Sequence, residues 1–436
     1  MIKSPFIKDV FRVCISHGLM IIFGLVVSII TARYIGPEGN GIIAGLTVYP
    51  SLFMTIGSLG IRQSTTYFLG KGIFTEHQIK TAITQIWMLT TIISLIVCYV
   101  LMYYFSNSGS NSTLVLLALL PIPFSLFNTY NSGIFLGNND IKTFNKINWI
   151  PSFIALLGTL FFVVLLKLEV KGAMIASVGG SLLLFFVLLF KNKFLNYFSI
   201  LFDWNIIKQM LSLGIVYATA LFVINLNYRV DIILLDKLSN AYELGIYAKG
   251  AAITQYLWQI PMILSTVVFA RSSVSKNGKV FSLKVAQLLR VSFLIVGIVS
   301  LVMFLFSEWI IAGLYGLKFK ESTAVLNYLL PGVVILTIFK VMNMDLAGKG
   351  KPWISMKAMF PALIINIVIN MILIPIYGAK GAAISSTISY GIAGILFLLF
   401  YSKAVGLPIG VILRYKRKDF DPILNVIKNL SYNEGL

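Results

Sequence analysis

Long apolar stretches separated by short polar turns follow one another along the whole chain of 436 residues. Each stretch is about as long as the 20 or so residues that an α-helix needs to cross a bilayer. Glycine, proline and charged residues punctuate the turns. The pattern predicts twelve transmembrane helices, at residues 10–33, 41–68, 80–105, 112–136, 147–167, 171–191, 206–229, 243–270, 284–310, 321–346, 354–376 and 380–403.

The two halves of this helix series resemble each other at an offset of roughly half the chain. RYIGPEGNGIIAG (Arg33–Gly45) aligns with KLSNAYELGIYAK (Lys237–Lys249), and VKGAMIAS (Val170–Ser177) aligns with AKGAAISS (Ala379–Ser386). Six helices per copy is an even number, so both copies enter the membrane from the same side and form parallel repeats. Two such bundles can rock around a cavity between them, which is a transporter design.

The predicted fold class is therefore an all-α polytopic membrane protein, with twelve transmembrane helices arranged as two parallel six-helix bundles around a central cavity. Residues 1–205 form the N-terminal bundle with its connecting loop, 206–403 form the C-terminal bundle, and 404–436 form a basic cytoplasmic tail. Arg33 and Lys237 occupy equivalent positions in the repeat, so we expect a shared structural role, such as capping helix C-termini.

Composition supports a membrane protein and excludes a soluble enzyme. Hydrophobic residues make up 58% of the chain and charged residues 11%, against about 25% charged in soluble domains. The net charge of +20 is interpreted through the positive-inside rule rather than as a nucleic-acid interface, because most lysines and arginines fall in segments predicted inside. This bias places both termini in the cytoplasm.

Catalytic and cofactor motifs are not found. The two cysteines, Cys14 and Cys98, lie in apolar runs and predict neither a disulfide framework nor a metal site. GKGKP (Gly348–Pro352) fails the spacing of a phosphate-binding loop, so no built-in ATPase is predicted. We expect no catalytic residue, no metal and no cofactor.

Three segments carry a resemblance to a known family: ARYIGPEGNGIIAGL (32–46), GSLGIRQSTTYFLGKG (57–72) and LGNNDIKTFNKIN (136–148). They resemble bacterial polysaccharide (O-antigen type) flippases of the multidrug/oligosaccharidyl-lipid/polysaccharide exporter superfamily. The resemblance implies movement of undecaprenyl-pyrophosphate-linked oligosaccharide across the bacterial inner membrane, from the cytoplasmic to the periplasmic leaflet. It implies as partners this lipid-linked cargo, the bilayer, and polysaccharide polymerase and chain-length machinery.

Arg62 is the leading candidate for binding the cargo's diphosphate, because a guanidinium group stays charged and can donate two parallel hydrogen bonds to phosphate. Ser51, Thr55, Ser58 and Thr65 or Thr66 share its spacing, which predicts one polar stripe on a single helix face. Ser58 is therefore a second candidate. The alternative for Arg62 is snorkelling from the helix end to lipid headgroups.

Charged residues in the second half give further candidates. Arg229 is predicted to line the cavity beside Asn225, one helical turn away; the alternative is an ion pair at the membrane edge with a nearby aspartate. Lys340 is predicted to line the cavity; the alternative is an interhelical pair with Asp345 or another carboxylate. Asp231 and Asp236 are weaker candidates for carrying a coupling proton or sodium ion.

Trp258, with Gln255 and Gln259 on the same stretch of helix, combines an aromatic face with amide groups, as sugar-binding sites often do. A packed or lipid-facing indole is the alternative. Arg12 is predicted at the cytoplasmic mouth of the cavity.

The sequence therefore favours a lipid-linked polysaccharide flippase working by alternating access. A cation-coupled drug or small-molecule antiporter of the same superfamily is the alternative; it predicts an acidic cavity. A membrane glycosyltransferase or polymerase ranks last, because the predicted outside loops are short.

Overall fold

The computed structural model describes residues 5–138, 140–198, 202–273, 275 and 277–419, with side chains from Ile15 onward apart from a few positions inside helices. Its described residues form helices joined by short turns. The α-helices are α1 (Pro5–Gly57), α2 (Ile61–Gly70), α3 (Glu76–Phe105), α4 (Ser112–Leu119), α5 (Pro121–Gly137), α6 (Ile141–Ile147), α7 (Ile150–Thr159), α8 (Glu169–Lys191), α9 (Trp204–Leu238), α10 (Ala241–Ser273), α11 (Gly278–Leu305), α12 (Ser307–Tyr315), α13 (Ser322–Gly348), α14 (Trp353–Val405) and α15 (Ile409–Leu413). A π-helical segment, Leu160–Leu165, extends α7.

This architecture confirms the predicted all-α polytopic membrane fold. Nine candidate spans are long and apolar enough to cross a bilayer within the described ranges. Helices α1 and α14 have 53 residues each, more than twice the roughly 20 needed for one crossing, and they bend at Gly36 and Gly378 respectively. The count of twelve stays a prediction. We call the side of the bundle that carries these two bends the outer face.

The second predicted span is interrupted, which corrects the expectation of one polar stripe. Helix α1 ends at Gly57, and Leu59 and Gly60 have φ values of 43° and 63° before α2 begins. Gly60 packs so closely on the backbone of Gly214 that a Cβ atom would overlap it. Ser58 and Arg62 therefore lie on opposite sides of a helix break, because the chain needs left-handed backbone there.

Buried apolar side chains form three clusters. The largest combines α9, α10, α11, α13 and α14 of the second half. The other two lie mostly in the first half, one around Phe127 and Tyr130 and the other around Tyr49 and Leu126. The cluster around Phe127 and Tyr130 also contains Ile206, Ile207 and Met210 from the start of α9. The division at residues 205 and 206 stays a prediction.

Two repeat-related glycines bring α1 and α10 into backbone contact near the outer face. A Cβ atom on Gly41 would overlap the carbonyl oxygen of Ala241, and one on Gly245 would overlap that of Pro37. The two helices approach closely because neither residue has a side chain. We call this contact the outer seam.

Arg33 and Lys237 cap helices of the opposite half, as their repeat positions predict. Arg33 donates from Nε to the carbonyl oxygen of Leu314 at 3.0 Å, in the last turn of α12. Lys237 donates to the carbonyl oxygen of Tyr104 at 3.2 Å, in the last turn of α3. Positive charge is favourable at these helix ends because the last carbonyl groups carry partial negative charge.

A buried lysine completes the outer seam. Lys249 of α10 is only 7% exposed and donates to the carbonyl oxygen and hydroxyl of Ser28 at 3.0 and 3.1 Å, and to the hydroxyl of Thr31 at 3.0 Å. All three acceptors belong to α1. Separation of the helices here would remove every one of these hydrogen bonds from the ammonium group.

The chain beyond α14 folds back onto α11 and is held by a buried ion pair. Arg290 donates from Nε and Nη2 to the two carboxylate oxygens of Asp419, at 2.7 and 2.6 Å, and from Nη1 to the carbonyl oxygen of Ile412 at 2.8 Å. The two side chains are 6% and 3% exposed. Hydrogen bonds from Arg290 lower the pKa of the Asp419 carboxyl group. Residues 420–436 of the predicted tail lie outside the described residues.

Gly41→Ala should open the outer seam, because the added methyl group meets backbone atoms that cannot rotate away. Overpacking of this kind costs about 1–3 kcal/mol. We expect faster labelling by a membrane-impermeant thiol reagent of a cysteine placed at Ala32, which is 1% exposed. Gly24→Ala on the same helix is the matched control, since a Cβ there meets nothing within 4 Å. Equal labelling of the two variants would contradict a closed seam.

Asp419→Asn should lower the unfolding temperature of the detergent-solubilised protein at pH 7. Removing one partner of a buried pair costs roughly 3–5 kcal/mol, because Arg290 keeps an uncompensated charge. The pKa of Asp419 is lowered in the folded protein. The ion pair therefore contributes its full share of the free energy of unfolding above the pKa of the unfolded chain, about 3.9, and this contribution is lost as the pH falls through the pKa of the folded protein. The difference in unfolding temperature between the variant and wild type should therefore narrow below about pH 4. Glu308→Gln, at an exposed position, is the control. A difference in unfolding temperature that does not change with pH would rule out stabilisation by the Arg290–Asp419 ion pair.

Candidate functional site: a cationic cavity in the second half

A cavity of about 590 Å³ opens in the second half of the chain, within the range of about 300–1,000 Å³ that ligand sites occupy. We call it the second-half cavity. Its walls come from α9, α10, α13 and α14, and from one stretch of α1. The lining residues are Ala44, Thr47, Leu221, Ile224, Asn225, Tyr228, Arg229, Ile232, Tyr247, Ala248, Ala251, Ala252, Thr254, Gln255, Trp258, Gln259, Met262, Leu329, Phe339, Lys340, Asn343, Met344 and Tyr390.

The room comes from small side chains on one face of α10. Ala248, Ala251 and Ala252 follow helical spacing, so their methyl groups share a face and leave space beyond it. Gln255 and Gln259 continue the same face. The sequence of α10 therefore provides both the space and a line of polar groups at its edge.

Lys340 sits over aromatic rings rather than beside a carboxylate. Its Nζ atom lies 4.2 Å from the ring centroid of Tyr228 and 4.6 Å from that of Trp258. The alternative partner, Asp345, is bound by Lys349 at 2.8 Å and by the hydroxyl of Tyr401 at 2.6 Å. Cation–π attraction holds the ammonium group without using its hydrogen-bond donors.

Arg229 lines the cavity one turn from Asn225, as the spacing predicts. It is half-buried, and within the described ranges it forms no ion pair. The ion pair at the membrane edge is therefore not formed. Because the lining residues that the structure describes include Arg229 and Lys340 but no aspartate or glutamate, the cavity attracts anions.

Two further groups on the cavity wall have unused hydrogen-bonding capacity. Trp258 is 7% exposed, yet its indole N–H has no acceptor in the described structure, and the hydroxyl of Tyr228 also has no partner. Tyr390 closes the aromatic group, with its ring centroid 5.7 Å from that of Trp258 and 5.8 Å from that of Tyr228. Buried donors without acceptors are uncommon, and a bound ligand is one way to satisfy them.

Asp231 lies behind the cavity wall, fully buried, although it is only two residues from Arg229. Positions two apart on a helix point in nearly opposite directions. Its carboxylate accepts hydrogen bonds from Asn370 at 2.7 Å, Ser386 at 2.5 Å and the hydroxyl of Tyr247 at 2.9 Å. Because Tyr247 also lines the cavity, its side chain connects the two.

The network around Asp231 continues through amide side chains. Asn370 also donates to Oδ1 of Asn366 at 2.9 Å, and Ser389 donates to Oδ1 of Asn227 at 2.9 Å. The Oδ1 atom of Asn370 is buried and has no partner in the described part of the chain. A buried carboxylate beside an unused amide oxygen suits a small cation or a proton.

Asp236, the other coupling candidate, lies in α9 and packs against α1 beside the outer seam. It is 4% exposed and packs against Gly45, where a Cβ atom would lie 2.8 Å from its Cγ. Asn107 donates to its backbone carbonyl oxygen. Asp236 does not line the second-half cavity.

Arg62 lies apart from the other candidates, in a smaller pocket of about 160 Å³ that we call the Arg62 pocket. Its Cζ atom is 5.8 Å from the ring centroid of Phe144, and the side chain is exposed. The lining residues are Arg62, Asn128, Thr129, Ser132, Phe135, Phe144, Ile147, Asn148, Leu184 and Leu188. Ser58 lines neither pocket and donates to the carbonyl oxygen of Thr55 at 2.8 Å. The side chain of Arg12 lies outside the described part of the chain.

The structure thus brings five of the sequence candidates together: Arg229, Lys340, Trp258, Gln255 and Gln259. Sequence reasoning missed the tyrosines. Tyr228 lies three residues after Asn225, so helical spacing could have found it. Tyr390 comes from α14, far along the chain, and no local pattern marks it.

Comparison with known proteins identifies the family. Residues 6–276 match the sequence model of the family described as "Polysaccharide biosynthesis protein". The chain is 22% identical to the capsular polysaccharide biosynthesis protein CapF of Staphylococcus aureus, over 76% of this chain and 83% of that one.

Two solved structures share the fold. The lipid II flippase MurJ, in an inward closed conformation, superposes with a TM-score of 0.75 at 18% identity, covering 92% of this chain and 89% of that one. An inward-facing multidrug resistance transporter of the MATE family superposes with a TM-score of 0.71 at 14% identity, covering 89% and 94%. At these identities the likeness shows the fold alone; both proteins are transporters rather than enzymes.

Proposed function

The chain belongs to the polysaccharide biosynthesis protein family, and we propose that it is a flippase for undecaprenyl-pyrophosphate-linked oligosaccharide. In this proposal it works in the bacterial inner membrane, with both termini in the cytoplasm, and delivers its cargo to the periplasmic leaflet. The polymerase and chain-length machinery that the family resemblance implies would then use the delivered cargo.

The observation that carries this proposal is the charge of the second-half cavity. Arg229 and Lys340 line it, and none of its described lining residues is acidic. Two unneutralised cations in a low-dielectric site favour a cargo with negative charge, such as one carrying a diphosphate. They would repel the cationic compounds that many drug exporters carry.

The Arg62 pocket suits the diphosphate itself. It is compact, about 160 Å³, and combines a guanidinium group with the side chains of Asn128, Thr129, Ser132 and Asn148. A guanidinium fork can donate two parallel hydrogen bonds to phosphate oxygens, and the amides of Asn128 and Asn148 each have a second N–H to donate. The hydroxyls of Thr129 and Ser132 already donate to backbone carbonyl oxygens. We infer that the diphosphate binds here.

Alternating access gives the outer seam its role in transport. Gly41 and Gly245 close the outer face, so release there requires α1 and α10 to separate. The same separation would remove the acceptors of Lys249. Opening is therefore opposed by defined contacts, and a driving force must offset them.

The Asp231 network is where such a driving force could act. We propose that Asp231, rather than Asp236, binds the coupling proton or sodium ion. The hydroxyl of Tyr247 bonds Asp231 while the Tyr247 ring lines the cavity, so neutralising the carboxylate changes a wall of the cargo site. A cation-coupled drug antiporter would use the same network, so the cavity charge distinguishes the two functions.

Arg62→Gln should lower the initial rate of flipping at least about tenfold, the loss of one charge-assisted phosphate contact. The assay uses proteoliposomes that contain a fluorescent undecaprenyl-pyrophosphate oligosaccharide and measures its exposure to an impermeant glycosidase. Lys357→Met is the matched control, because Lys357 is an exposed cation 4.5 Å from the Trp353 ring and lines neither pocket. Unchanged flipping by Arg62→Gln would remove Arg62 from the proposed binding site. A wild-type protein that exports a cationic dye but moves no glycolipid would favour the antiporter over the flippase.

Asp231→Asn should abolish the response of flipping to an imposed sodium or proton gradient, because the amide keeps the shape but has neither the negative charge that holds a cation nor a proton that it can release. Asp236→Asn should keep that response. Flipping is measured in the same proteoliposomes, with each gradient imposed separately and with the matching ionophore. A wild type insensitive to both gradients, or an Asp231→Asn variant that responds fully, would refute coupling at Asp231.

A further inference from the structure

We propose that the second-half cavity binds an acidic sugar of the cargo, with Lys340 and Arg229 facing its carboxylate. This inference rests on the proposed function, because it assigns a part of the same cargo to a second pocket. It divides the cargo between two sites, with the diphosphate at Arg62 and the charged part of the glycan in the second half.

The size and wall of the cavity point to a sugar rather than to phosphate alone. Its volume of about 590 Å³ is several times that of the Arg62 pocket, about 160 Å³. Amide groups of Gln255 and Gln259 lie along one edge, and neither forms a hydrogen bond within the described structure. Amides both donate and accept, which matches the hydroxyl groups of a sugar better than the acceptor-only oxygens of phosphate.

The state of Lys340 indicates that the sugar carries a negative charge. The ammonium group is held by the rings of Tyr228 and Trp258, at 4.2 and 4.6 Å, and no carboxylate among the described residues pairs with it. A desolvated cation is costly unless an anion accompanies it. Since the rings use the charge but none of the three N–H groups, these donors remain available to a ligand carboxylate.

The indole of Trp258 supplies an independent sign of a ligand. The side chain is only 7% exposed, and its indole N–H lacks an acceptor in the described part of the protein. The Tyr228 hydroxyl is likewise buried and unpartnered. A ring hydroxyl or carboxylate oxygen of a sugar in this cavity would satisfy both groups.

The test measures binding to the purified full-length protein in nanodiscs, by calorimetry and by tryptophan fluorescence. The probes are trigalacturonic acid, the neutral trisaccharide maltotriose, and inorganic pyrophosphate. We expect trigalacturonic acid to bind and change the emission of Trp258, maltotriose to bind at least about tenfold more weakly, and pyrophosphate to bind without that change.

Variants separate the two pockets. Lys340→Met keeps the length of the side chain and should weaken trigalacturonic acid at least about tenfold while leaving pyrophosphate unchanged. Arg62→Gln should do the reverse. Trp258→Phe should remove the emission change. Lys340→Arg should still bind trigalacturonic acid, which would show that the weaker binding of Lys340→Met reflects the lost charge rather than misfolding. Lys357→Met, a cation on an exposed aromatic ring, should behave as wild type.

Equal affinity for maltotriose and trigalacturonic acid would overturn the proposal, as would loss of pyrophosphate binding in Lys340→Met. Equal effects of Lys340→Met and Lys357→Met would overturn it as well. Because these measurements need no transport, they fail independently of the flippase assay. Glycolipid flipping by a protein that does not prefer the acidic trisaccharide would leave the proposed function intact and remove this subsite.

Discussion

A positive charge held inside a membrane without a carboxylate is the constraint on which this structure depends. Ion pairing is the cheapest way to bury a charge, yet it would cancel the field that a cargo site needs. Lys340 instead rests on two aromatic rings, and Lys249 on the oxygens of Ser28 and Thr31. Each cation is stabilised, but neither is neutralised.

The same principle applies with opposite sign to Asp231. Hydroxyl and amide donors surround this carboxylate, and no cation of the described structure pairs with it. Arg229 lies two residues away on the opposite side of α9, facing the cavity. Helical geometry thus keeps neighbouring opposite charges apart, so that neither charge neutralises the other and each remains available to a transiently bound ligand or ion.

The cavity, the Asp231 network and the outer seam are connected through residues of α10. Tyr247 lies between the cavity and Asp231, and it belongs to α10, the helix that also carries Gly245 and Lys249 at the outer seam. In the proposed function, cargo, coupling cation and outer seam would therefore all act on α10. Arg33 and Lys237 add a symmetric contribution, since each caps a helix of the opposite half. A rearrangement that moves α10 changes all of these contacts together.

Apolar length, charge bias and the internal repeat were enough to predict a polytopic helical membrane protein, because the cost of exposing backbone to lipid leaves few alternatives. Helical spacing also placed Arg229 beside Asn225, and Gln255 beside Trp258 and Gln259. It failed at Ser58 and Arg62, where close packing on Gly214 breaks the helix. Only the tertiary structure set the rings of Tyr228 and Trp258 on Lys340, and Asn370 and Ser386 around Asp231. Those partners come from helices distant in sequence, and their meeting depends on how the helices pack, which no local pattern encodes.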